Sequence, residues 1–231
     1  MSTLPTKSRY GVSKEEGSPN QRYSIALRRL VLFQILKRHP ASQAMVYLNE
    51  HNVMHRDIRG SNILLTREGE VKLVDFGLSK MFQGEMGKRY TCIGSPSWMA
   101  PEVAMSKGNS SEGYGSRADV WAVGITAIEL ADGKPPFQDM HPTRALFQIV
   151  RNPPPNLYRP SNWSQNFNDF IAEYVLQIPH EYYTFTSLTC DSFQCRCRCL
   201  EKNPENRPFM AEIAEHPFLA DSSANDFLVR R

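Results

Sequence analysis

Apolar and polar positions divide this chain into blocks whose period changes from segment to segment. Residues 24–38, SIALRRLVLFQILKR, carry apolar side chains over a broad helical face. Pro40 ends that helix, because proline offers no N–H and clashes with the preceding turn. Residues 41–50 predict a second, short helix, and HNVMHRDIRGSN (51–62) is a loop by composition. NILL and VKLV are short apolar runs separated by TREGE, which predicts a hairpin. Residues 75–102 hold several glycines and no sustained period, so they predict a long surface loop of the kind that carries function. Residues 117–131, RADVWAVGITAIELA, are apolar on nearly every side and predict a buried helix. HPTRALFQIVRN is amphipathic, NPPPNLYRP is a stiff extended connector, and the last helix is predicted over 207–216. Residues 1–20 are polar and predict a disordered lead, and the chain has no internal repeat.

The 231 residues make room for one ordinary domain, and 41% hydrophobic with 22% charged residues is a globular composition. No apolar run approaches the ~18 residues of a membrane helix, and MSTLPTKSRY lacks the apolar core of a signal peptide. A cytoplasmic protein without a membrane span is the expectation. Charge is uneven: residues 1–40 carry +6, the remainder −3. Lysine and arginine are scattered over that basic lead, which favours a solvated tail over a nucleic-acid arm. Cys92 stands alone, whereas Cys190, Cys195, Cys197 and Cys199 crowd together. An odd cysteine count without a secretory leader argues against a disulfide framework.

Candidate chemistry lies in the loops. His55-Arg56-Asp57 is followed five positions after the aspartate by Asn62; Asp75-Phe76-Gly77 begins thirteen positions beyond Asn62; Ala100-Pro101-Glu102 closes the loop that starts there. Each alone is weak, but their order, with a hairpin between the first two, is specific. Phosphoryl transfer needs positioning and charge neutralisation more than covalent help. Asp57 suits the acceptance of a proton from an attacking hydroxyl. Asn62 and Asp75 supply the oxygen ligands that Mg²⁺ prefers, and Gly77 lets the chain turn away after the second ligand.

HRDIRGSN, DFG and GSPSWMAPE resemble the protein kinase superfamily, and GSPSWMAPE resembles its Ste20-like serine/threonine group. ADGKPPFQDMHPTRALFQIVRNPPP is similar to the kinase domain of class III, NinaC-type, unconventional myosins. The resemblance covers about residues 44–173 and 199–219. It implies an α+β fold: the mainly helical C-terminal lobe of a kinase with a short β-hairpin, its N-terminal lobe largely missing. The domains are then a basic lead (1–40), a lobe (41–219) interrupted by an insert (174–198), and a tail (220–231). It implies ATP and Mg²⁺ as cofactors, with Leu64, Asn62 and Asp75 at the nucleotide and Asn62 and Asp75 at the metal. A protein substrate is implied, without nucleic acid, and cytoskeletal partners such as actin would come through a myosin motor outside this chain.

Further roles follow from the same resemblance. Arg56 pairs with a phosphate on Thr91; Ser95 lines the pocket for the substrate hydroxyl; Glu102 pairs with Arg207; Asp119 braces the catalytic loop, although an acid at a helix start is also favoured by the dipole. Arg59 stands where the group usually has lysine and keeps the charge near the transferred phosphate with a different donor geometry.

Two segments break the pattern. Only 54 residues precede His55, and their glycines, Gly11 and Gly17, form no GxGxxG. Lys7, Lys14 and Lys37 lie outside any VAIK-like strand, and Glu15, Glu16 and Glu50 have no evident lysine partner. The second break is 174–198, YVLQIPHEYYTFTSLTCDSFQCRCR: without it, FNDFIAE runs straight into CLEKNPENRPFM. It reads as translated intron or an unusual exon that loops out of the lobe. A cysteine metal site is the alternative, although C-x4-C-x-C-x-C departs from paired C-x2-C spacing. A non-catalytic protein-binding module therefore stands beside the kinase reading.

Overall fold

A computed structural model describes residues 40–65, 71–82, 87–106, 113–171 and 198–220. The predicted helix 24–38, the polar lead, nearly all of the insert with Cys190, Cys195 and Cys197, and the tail beyond 220 lie outside the described residues.

The centre of the fold is helix α3, Arg117–Asp132, which the apolar run predicted. In the chain before it come α1 (Pro40–Glu50), β1 (Val53–Met54), β2 (Ile63–Leu65), β3 (Val71–Leu73), β4 (Lys80–Met81) and α2 (Pro101–Met105). After it come α4 (Pro142–Arg151), α5 (Gln165–Ile171), α6 (Met210–Ala214) and α7 (Pro217–Ala220). Trp121 and Ile125 of α3 are fully buried, and Val120, Val123, Ala127 and Ile128 join them in one core with Phe167, Phe170, Ile213 and Phe218. Each large apolar side chain so buried contributes about 1.5–3 kcal/mol. Helix α4 is amphipathic as predicted, turning Ala145 and Ile149 inward and leaving Phe147 exposed.

The predicted hairpin forms, with β2 and β3 antiparallel in the register Ile63↔Leu73, Leu64↔Lys72 and Leu65↔Val71. Other boundaries moved. Pro40, expected to end a helix, stands at the first position of α1, where its missing N–H would have no intrahelical acceptor. The 51–62 loop contains β1, which pairs antiparallel with β4 inside the 75–102 loop. Two-residue strands carry no periodicity, so only the partner reveals them. The last helix is shorter than predicted: α6 stops at Ala214, and Pro217 starts α7 instead.

The two sides of the insert meet in helical register. The N–H of Cys199 donates to the carbonyl of Phe170 (3.1 Å), and that of Leu200 to Ile171 (2.9 Å). With residues 174–198 removed, those donors would stand four positions after their acceptors, the spacing of an α-helix. Cys199 and Leu200 also pack on α3 at Gly124, where a Cβ would meet the Cys199 Cβ at 2.7 Å and Leu200 Cδ2 at 2.8 Å. Closing a segment of about that length costs about 3 kcal/mol of chain entropy. Deleting 174–198 is therefore expected to raise the melting temperature and soluble yield. Thermal unfolding of both chains, with reductant and with zinc added or chelated, checks this. A more stable intact chain, or one that melts early once zinc is stripped, makes the insert a structural element.

His216, between α6 and α7, lies inside the core, 3% exposed, with Nδ1 accepting the N–H of Phe218 and the ring meeting Phe170 edge-on. Burial lowers its pKa from 6.5 to about 4. The folded value lies below the unfolded one, so folding favours the neutral ring. The stability this gives is complete above pH 6.5 and is lost as pH falls towards 4. At about 1.4 kcal/mol per unit, roughly 3 kcal/mol should disappear over that window. Urea unfolding at pH 7, 5.5 and 4 measures it, and His216→Gln should flatten the dependence.

Candidate active site

The hairpin sets the spacing of the site. Its ladder continues one step past the strands, with the Val74 N–H donating to the Asn62 carbonyl (2.9 Å), so Asp75 follows directly on the residue bonded to Asn62 at its open end. His55, fully buried, holds the other side of this backbone through Nε2 and the Val74 carbonyl (3.2 Å), and its ring meets Phe76 edge-on. Asp119 at the start of α3 accepts the N–H of His55 on Oδ2 (2.7 Å) and that of Arg56 on Oδ1 (2.9 Å). Desolvation pushes the Asp119 carboxyl up in pKa, against the two backbone N–H groups and the nearby cations that pull it down. Arg56 and Asp75 both hold φ of 67°, a left-handed conformation that costs a non-glycine residue about 1–3 kcal/mol. The bonds from Asp119 and across the hairpin hold this strain in place.

Asp57 sits at the centre of a short polar chain. Its Oδ2 accepts from Asn62 Nδ2 (3.0 Å), which also donates to the Asp57 carbonyl (2.8 Å). Its Oδ1 accepts from the Ser95 hydroxyl (2.8 Å), and Ser95 in turn accepts from Arg59 (2.7 Å). The carboxylate is thus oriented from both sides and already meets a hydroxyl, the geometry that a general base needs. With Nδ2 committed to Asp57, Asn62 keeps its Oδ1 as an oxygen donor, and Ser61 makes a 3.4 Å contact there. Asp75 is exposed, and its Oδ1 accepts the N–H of Gly77 in its own loop at 3.4 Å. Two oxygen-bearing side chains with open positions fit a hard cation that retains water and phosphate ligands. Leu64 lies mid-strand in β2 opposite Lys72.

The loop is tied at two further points. Arg56 donates to the Leu78 carbonyl (2.6 Å), to Thr91 Oγ1 (3.3 Å) and to the Tyr114 hydroxyl (3.4 Å). Arg207 forks onto Glu102 with bonds of 2.6 and 3.1 Å. Sequence reasoning missed Tyr114, which is buried, bridges backbone to backbone with Arg89, and donates to the Thr91 carbonyl (2.8 Å). It also missed Trp98 and Glu129. The Trp98 indole N–H donates to Glu129 Oε2 (3.0 Å), which also accepts the Gly60 N–H (2.9 Å). A glutamate within an otherwise apolar helix was the available signal.

A family model described as protein kinase domain matches residues 34–219. "Neither inactivation nor afterpotential protein C" of Drosophila melanogaster is 55% identical over 184 residues, 80% of this chain and 11% of that protein. Human "Myosin-IIIa" is 41% identical over 193 residues, 84% of this chain and 10% of its own length. "Misshapen-like kinase 1" of Rattus norvegicus is 54% identical over 179 residues, 78% of this chain and 12% of that protein. The chain thus spans about a tenth of the length of these relatives.

Proposed function

The chain belongs to the protein kinase family, and on that premise we propose that residues 41–219 are the catalytic lobe of a serine/threonine protein kinase, the kinase part of a class III myosin. The observation that supports this most is the Asp57 carboxylate, oriented by Asn62 and Ser95 next to the Arg59 guanidinium. ATP with Mg²⁺ supplies the phosphoryl group and the charge that neutralises it. Asp57 faces the hydroxyl of a protein serine or threonine and accepts its proton, and Ser95 marks where that hydroxyl docks. Arg59 offers positive charge to the phosphoryl group in transit. Asn62 and Asp75 hold the metal, and Leu64 contributes to the nucleotide site.

On the same reading Arg56 receives a phosphate on Thr91, with Tyr114 steadying both. Asp119 and the Glu102–Arg207 pair keep the loop in place. A protein is the substrate, and kinship with Myosin-IIIa supports a cytoplasmic, cytoskeleton-associated setting with actin reached through a motor. No helix among the described residues is long and apolar enough to cross a membrane.

The test joins residues 40–231 to the first lobe of a class III myosin kinase and follows phosphate transfer to a basic substrate protein. Asp57→Ala should lower kcat by about 10²–10⁴, the usual contribution of a positioned base, and Asp75→Ala should abolish Mg²⁺-dependent turnover. A chimera that folds, binds Mg·ATP and transfers nothing makes this lobe a non-catalytic binding module.

A further inference from the structure

Arg59 is held as a plane and not only as a charge, and the residues that hold it lie far from it in sequence. Its guanidinium carbon sits 4.8 Å from the centre of the Trp98 ring, a cation–π arrangement that a lysine would fill with a different shape. One terminal nitrogen donates to Ser95, and through Ser95 the group reaches Asp57. Its Nε–H is buried and has no acceptor among the described residues, a deficit that an anionic oxygen would relieve.

Beneath this arrangement lies Glu129, one turn from the end of α3. A single carboxylate oxygen accepts both the indole N–H of Trp98 and the backbone N–H of Gly60, the residue that follows Arg59. Glu129 thus grips the ring under the guanidinium and the backbone beside it. The fit is tight: a Cβ on Gly60 would lie 3.0 Å from both carboxylate oxygens. Burial raises the Glu129 pKa against the pull of Gly60, Trp98 and the Arg59 charge. In such surroundings a lost partner is costly, because water does not replace it.

We propose that Trp98 and Glu129 are positioning residues that lock the Arg59 guanidinium beside Ser95 and Asp57, so that its charge is held in place for an incoming phosphoryl group. The inference deepens the kinase reading and rests on it for the phosphoryl group. Its positional part concerns this chain's own residues and is tested without turnover.

The experiment uses the full chain labelled with ¹⁵N. The Arg59 Nε–H signal is assigned with Arg59→Lys and the Trp98 indole with Trp98→Phe. Hydrogen exchange at Arg59 Nε–H is then compared in wild type, Trp98→Leu and Glu129→Gln, with the Trp121 and Trp163 indole signals reporting on the core. Removing the ring should speed Arg59 exchange about tenfold, equivalent to about 1.4 kcal/mol. Glu129→Gln should shift the Trp98 indole signal and speed Arg59 exchange by a smaller factor, on the order of threefold. The Trp121 and Trp163 signals should stay in place. Unchanged Arg59 exchange in Trp98→Leu with an intact core overturns the proposal. Should Trp98→Leu disturb the Trp121 signal, Glu129→Gln decides: an unshifted Trp98 indole and unchanged Arg59 exchange overturn it equally. In the chimera with a first lobe, both variants should lower kcat about tenfold and leave KM for the protein substrate within about twofold. A chimera without turnover leaves the exchange result standing and refutes only the kinase reading.

Discussion

Arg207→Ala is expected to unfold the lobe at room temperature or leave it barely stable. Arg207 is fully buried, and every one of its five N–H donors has a partner: Nε bonds the Glu201 carbonyl, and the terminal nitrogens bond Glu102 twice, Arg117 and Lys202. Its carbon also lies 5.2 Å from the centre of the Trp121 ring, at the heart of α3. Removing it orphans the Glu102 carboxylate, itself only 8% exposed, and three carbonyls at once. Breaking a buried pair of this kind costs about 3–5 kcal/mol, a large part of the 5–15 kcal/mol that a domain possesses. Arg207→Lys should recover little, because one ammonium cannot fork onto Glu102 and reach the carbonyls together. Urea unfolding followed by tryptophan fluorescence reads the effect. A loss under about 1 kcal/mol, the range of an exposed pair, would show that water enters and replaces the arginine.

The second large effect is on catalysis. The chain by itself should transfer phosphate at least about 10³-fold more slowly than the same lobe behind a complete first lobe. On the proposed reading Asp57 would address the hydroxyl and Asn62 and Asp75 the metal, but the sequence of residues 1–54 contains neither a GxGxxG nor a VAIK-like run. Placing reactants in line is worth about 7–11 kcal/mol, and much of that in kinases comes from the loop and lysine around the phosphates. The assay is phosphorylation of a basic substrate protein by the purified chain, with Asp57→Ala as control. Robust turnover that Asp57→Ala abolishes would mean that other residues of this chain position the nucleotide.

Much of the site was legible in the sequence because its members lie close together in the chain. Asp57 and Asn62 share one loop, and a hairpin with strong β-forming runs carries Asp75 back to them. Short loops and local turns translate spacing into distance with few alternatives. The insert reading came from flanks that join as one continuous family-like stretch, and the bonds from Cys199 and Leu200 to Phe170 and Ile171 are compatible with it. Strands β1 and β4 escaped notice because two-residue strands have no period and find each other only across the loop. Tyr114, Trp98 and Glu129 escaped it because the meaning of each comes from a partner distant in the chain, although a glutamate in an apolar helix was a signal in its own right.

The sequence by itself determined the buried helix, the hairpin and the order of the chemical groups, since hydrophobic period and turn residues act over a few positions. The tertiary structure alone decided how charge is held. It brought Trp98 with Glu129 to Arg59, which nothing in the sequence had named, and it holds Asp119 at the backbone of His55 and Arg56 and Glu102 at Arg207, contacts that only the family resemblance had suggested. A buried charge is tolerated only where several donors converge on it, and that convergence comes from the packing of α3 against loops that no local pattern connects.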